Sequence, residues 1–134
     1  MSEVTFRYQD ETSNIFKRIK RPRLKLQIYS RVFREWIIIE DVLADTGADI
    51  SILPKTLGAV LVGKIINKKR YKISGLVAHS YMYLHNLRTK INGREIKAIF
   101  AVANTDDLPP TLGRKGALDK FEVTFEKGRL LKIK

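Results

Sequence analysis

Asp45-Thr46-Gly47 is the triplet in this chain best suited to chemistry. An aspartate followed by a hydroxyl residue and a glycine sets a carboxylate at the mouth of a tight turn. Backbone and hydroxyl donors there can hold it ready for proton transfer. The element occurs once in 134 residues. One carboxylate cannot serve as both acid and base in a two-carboxylate reaction, so a single chain supplies half of such a site. The chain has no cysteine, which excludes cysteine nucleophiles, thiolate metal sites and disulfides together.

The elements around the triplet must be strands. Upstream lies the apolar run Trp36-Ile37-Ile38-Ile39, then Val42-Leu43-Ala44; downstream, Ile50-Ser51-Ile52-Leu53 is stopped by Pro54. Period-two alternation governs most of the rest. Leu24, Leu26 and Ile28 alternate with polar residues, as do Leu87, Thr89 and Ile91. Asn92-Gly93 supplies a two-residue hairpin turn before a return strand from Glu95 to Ala103. Phe121 to Phe125 and Arg129 to Lys134 form a second hairpin around Lys127-Gly128. Helix is confined to a turn or two after Pro54 and to Lys115–Lys120. The pattern predicts an all-β fold, a small closed or nearly closed barrel. The length and a hydrophobic content of 44% fit one compact domain. We assign residues 24–134 to it and residues 1–23 to a basic N-terminal arm with a strand at Val4 to Tyr8.

The net charge of +12 suits nucleic acid or acidic partners. However, Lys25, Arg88, Lys90, Lys97, Lys132 and Lys134 alternate with apolar residues, as solvent-facing strand positions do. The cluster Lys17-Arg18-Ile19-Lys20-Arg21-Pro22-Arg23 lacks the interleaved aromatics that stack bases. Nucleic acid therefore ranks behind a protein or peptide as the expected partner. The apolar runs are too short to span a bilayer, and the N-terminus has no signal-peptide layout. The expectation is a cytoplasmic protein without a membrane partner.

Three elements appear in order: Ala44-Asp45-Thr46-Gly47-Ala48-Asp49, a glycine-bearing hairpin candidate around Gly75, and Leu112-Gly113-Arg114 before a short helix. Together they resemble the retropepsin-type aspartic proteases, single-domain enzymes that work as homodimers, across roughly Leu24 to Phe121. The resemblance implies an acid-protease barrel and an endopeptidase needing no metal or organic cofactor. Asp45 would meet its symmetry mate across a two-fold axis. Two carboxylates that close cannot both ionise, so the pair shares one proton. Thr46 would hydrogen-bond across the dimer, and Gly47 would permit the turn while its carbonyl binds substrate backbone. Asp49 and Arg114, beside Gly113, would form an ion pair within one subunit. Ala48 cannot donate a hydrogen bond to the carboxylate, which implies an activity optimum nearer mildly acidic than strongly acidic pH.

The resemblance places a flap at Ser74, Gly75, Leu76 and Val77, with Ile52, Leu76 and Val77 lining apolar substrate pockets. Here the family's glycine-rich flap tip is replaced by Leu76, Val77 and Ala78. His79 reads as an exposed loop residue, and Tyr81 and Tyr83 as sheet packing. The rival readings are a catalytically idle dimerisation or peptide-binding module of the same fold, and a basic nucleic-acid-binding barrel.

Overall fold

The computed structural model describes residues 2–73 and 80–134. Its elements in chain order are β1 (Val4–Arg7), β2 (Gln9–Ser13), β3 (Lys17–Arg21), β4 (Arg23–Ser30), β5 (Glu35–Ala44), β6 (Ser51–Leu53) and α1 (Lys55–Val62). There follow β7 (Arg70–Ile73), β8 (Ser80–Ile91), β9 (Arg94–Ala103), β10 (Thr111–Leu112), a 3-10 turn (Leu118–Lys120), β11 (Val123–Glu126) and β12 (Leu130–Ile133).

Six strands close the barrel. β4, β5, β10, β6, β9 and β8 follow one another in hydrogen-bonded order, and β8 returns to β4 with Gln27 opposite Lys90 and Ile28 opposite Thr89. The expected alternation sets the inner face, with Leu24, Leu26 and Ile28 of β4 and Leu87 and Ile91 of β8 buried. Phe100 is among the largest fully buried side chains. Asn92 and Gly93 both take positive φ, 52° and 77°, as a two-residue hairpin turn requires. α1 packs on β9 through Gly58, where any side chain would meet Val102 at 2.3 Å.

A second sheet of order β1-β12-β11 seals one end, burying Leu131 and Ile133 against the same core. β1 covers most of the strand expected at Val4 to Tyr8. β2 and β3 form a separate two-stranded hairpin. Hydropathy does not predict it, because Gln9–Arg21 offers hardly an apolar position to alternate.

β5 contains a feature that the apolar run conceals. Its inward positions are Ile39, then Val42 and Ala44, which breaks the period of two. Leu24 pairs with Val42 but Leu26 with Ile39, so Glu40 and Asp41 together oppose one residue of β4. Asp41 sits at φ 60°. This is a β-bulge. It turns both acids outward and re-phases the strand, so that Ala44 enters the core and Asp45 follows at the barrel's rim.

Candidate active site

Asp45 is the first residue beyond β5. Its N–H donates to Leu112 O (3.0 Å), Leu43 N–H donates to Pro110 O (2.9 Å), and Ala44 N–H donates to Pro22 O (3.0 Å). β10 lies parallel to β5 and antiparallel to β6, filling the gap between them. The backbone before the carboxylate is therefore fixed on both sides.

The turn itself is short. Gly47 N–H donates to Asp45 Oδ1 (2.9 Å), and Ala48 N–H donates to Asp45 O (3.2 Å). Asp45 is half-buried, whereas Thr46 and Gly47 are exposed. The sequence reading allowed a hydroxyl donor as well, but the donor found is backbone. Thr46 is the hydroxyl at hand, and within one chain it makes no hydrogen bond to Asp45 among the described residues.

Residues 48–51 are stitched to the segment after β10. Arg114 N–H donates to Ala48 O (2.9 Å) and Lys115 N–H to Asp49 O (3.0 Å). Gly113 N–H donates to Ser51 Oγ (3.0 Å), and Ser51 is wholly buried. A Cβ at Gly113 would lie 2.4 Å from Ile50 O and 2.8 Å from Ala48 O, well inside contact distance with backbone that has no room to yield. Glycine is thus required at 113 for the two segments to cross.

Among the described residues the expected Asp49–Arg114 ion pair does not form. Arg114 Nε lies 3.5 Å from Asp119 Oδ1, both side chains being about half exposed. The 3-10 turn at Leu118–Lys120 folds back and offers a local carboxylate, while residues 48–49 meet residues 114–115 through backbone. Both residues line the junction, but it is held by main chain and not by their charges. Ser74, Gly75, Leu76 and Val77 of the expected flap, with His79, lie outside the described residues. Ile52 is half-buried on β6, opposite Thr111.

A network below the turn was not legible in the spacing. Arg23 donates to both carboxylate oxygens of Glu11, through Nη2 at 3.0 Å and through Nε, and from Nη1 to Asp41 O at the bulge (2.9 Å). Gln9 Nε2 donates to Asp41 Oδ1 (2.6 Å). The Arg23 hydrogen bond holds the Glu11 carboxyl below the usual carboxylate range, with Arg21 adding to it, and Glu11 in turn raises Arg23. One available signal was the pair of acids at 40–41 inside an apolar strand. Beside the turn, an open groove is lined by Thr46, Arg114, Leu118, Asp119, Phe121 and Val123.

No family model matches the chain, and no curated protein matches it in sequence. Solved structures do. The chain is similar to a retropepsin-like aspartic protease from Rickettsia conorii, at 18% identity over 98% of this chain and 90% of that one, with a TM-score of 0.63. It is also similar to EIAV protease in complex with an inhibitor, at 28% identity over 78% of this chain and 88% of that one, with a TM-score of 0.49. The Rickettsia likeness shows the fold: an all-β barrel of the retropepsin type.

Proposed function

We propose that this protein is an aspartic endopeptidase whose site is completed by a second copy, one Asp45 coming from each. The observation that carries the reading is a lone carboxylate at the end of a barrel strand of retropepsin type, oriented by Gly47 N–H and backed by a glycine-dependent crossing. In the pair, the ionised member takes a proton from water as the water attacks the peptide carbonyl. The protonated member donates to the oxygen on which charge develops, and the proton later passes to the leaving amine. Titration belongs to the pair, not to either residue.

The second copy has a place to dock. Thr46 is exposed beside the groove bounded by Phe121 and Val123, and β11 is an edge strand, whose unpaired backbone groups invite pairing. A two-fold axis through this region brings the two turns together. Thr46 of each copy is then free to bond across the axis, which accounts for its lacking an Asp45 contact within one chain. The substrate is an extended protein or peptide segment, with Ile52 part of an apolar pocket wall.

The test is cleavage of an unfolded protein between about pH 3 and 7, comparing wild type with Asp45→Asn, alongside native mass. The reading expects a dimer whose cleavage the substitution abolishes without changing mass. A folded monomer that cleaves equally well with and without the substitution would contradict it.

A further inference from the structure

Outside the proposed catalytic region, the most conspicuous surface feature is the tip of the β2–β3 hairpin. Ile15 is 82% exposed and Phe16 66% exposed, at the end of a ribbon whose five residue pairs carry it roughly 15 Å from its base. The tip is held in one shape. Ser13 Oγ accepts from Ile15 N–H (3.2 Å) and Phe16 N–H (3.3 Å), Phe16 O accepts from Arg18 N–H (2.7 Å), and Lys17 takes φ 64°. Two large apolar side chains are thus presented to solvent by a constrained turn, a cost that folding alone does not explain.

The flanks are basic. Lys17, Arg18, Lys20 and Arg21 stand on β3 against Asp10 and Glu11 on β2. Arg18 pairs with Asp10 at 3.1 Å and Arg21 lies 3.4 Å from Glu11, which leaves Lys17 and Lys20 without a carboxylate partner among the described residues. At the hairpin's base lie the exposed Arg7 and Arg129, the latter through Tyr8 N–H donating to Arg129 O.

An apolar wedge ringed by cations points to one kind of partner. We propose that the hairpin docks the protein on an anionic lipid surface, with Ile15 and Phe16 entering the headgroup region and the unpaired Lys17 and Lys20 meeting lipid phosphates. A second copy of the chain is the weaker fit at this tip, because its hairpin would set the same unpaired lysines, Lys17 and Lys20, against each other. Nucleic acid matches the charge but leaves Ile15 without purpose. The expectation of no membrane partner rests on apolar runs too short to span a bilayer and on the lack of a signal-peptide layout, and a surface wedge needs neither. The hairpin's base adjoins the turn, since Pro22 O accepts Ala44 N–H beside Asp45, so docking sets where the site stands relative to the membrane.

The experiment is co-sedimentation of the full chain with phosphatidylcholine vesicles, with and without phosphatidylserine. The expected result is binding to the phosphatidylserine vesicles alone, weakened by salt. Ile15→Ser/Phe16→Ser should lower it at least about tenfold, as should Lys17→Glu/Lys20→Glu, with native mass, circular dichroism and cleavage of soluble substrate unchanged. Equal binding to neutral vesicles, no binding to either, or wild-type binding by the Ile15→Ser/Phe16→Ser variant would overturn the proposal. So would loss of dimer mass in that variant, which would make the tip a subunit contact, or wild-type RNA retention that the variant loses without any vesicle effect. Because Asp45 is untouched, failure to bind vesicles leaves the proposed protease reading standing; of these outcomes only loss of dimer mass bears on it as well, through the shared site.

Discussion

The turn from Asp45 to Ile50 and the hairpin from Gln9 to Arg21 adjoin through the residues next to them, Ala44 N–H donating to Pro22 O, yet they are held by opposite means. The turn is fixed by main chain. Its backbone bonds to residues 112–115, and a glycine with no room for a methyl group makes the crossing possible. The hairpin is tethered to the barrel largely by side chains, through Glu11, Arg23, Gln9 and Asp41. Main-chain anchoring in a packed core gives a carboxylate one position and tolerates no change nearby. Side-chain anchoring at a half-exposed surface tolerates substitution and responds to pH. A proton-transfer site suits the first, and a docking element suits the second.

The contrast is tested most severely at Gly113. Gly113→Ala forces a Cβ into Ile50 O and Ala48 O, and should cost about 3 kcal/mol of stability in urea unfolding, with any cleavage activity lost before the fold is. A variant as stable as wild type would mean that the crossing is looser than described. Arg23→Met comes next. It strips the bulge carbonyl and the Glu11 carboxylate of their donor, and should cost about 2 kcal/mol. Activity should then fall in parallel with stability if the bulge phases Asp45, and stay constant if it does not.

The pH response separates the two regions further. The Glu11 carboxyl is depressed in the folded protein by the Arg23 hydrogen bond, from an ordinary 4.5. Its unfolded state therefore binds the proton more readily, and stability rises with pH across that interval. The contribution is fully present above the ordinary value and is lost as pH falls through the folded one. Glu11→Gln should narrow the gap between stability at neutral pH and stability below about pH 4; an unchanged gap in chemical unfolding would remove Glu11 from the tether. The smallest effect belongs to Arg114. Its exposed pair with Asp119 is worth less than about 1 kcal/mol, so Arg114→Ala should barely move the unfolding midpoint. A loss of several kcal/mol would show that Arg114 has a buried partner such as Asp49 after all, for instance in the dimer.

Much of the barrel was legible because one buried face imposes a period of two on β4, β8, β12 and the first part of β9, and Asn92-Gly93 announces its own turn. The Asp45 turn and Gly113 were legible as residue types whose chemistry or size is restrictive. What escaped notice was set by geometry that composition does not encode. The bulge at Glu40-Asp41 depends on one residue accepting positive φ, and the hairpin at Gln9–Arg21 on ion pairs between polar strands. The choice of Asp119 over Asp49 by Arg114 turns on where a 3-10 turn ends, which no spacing rule specifies.

Subunit mixing tests the central claim, that two Asp45 carboxylates make one site, most directly. Wild-type and Asp45→Asn chains would be unfolded together, refolded in varying proportion and assayed for cleavage. If both carboxylates are required, activity falls as the square of the wild-type fraction, because a dimer with one asparagine is dead. Activity falling in simple proportion to the wild-type fraction would mean that each chain carries a complete site, and the shared-carboxylate account would be wrong.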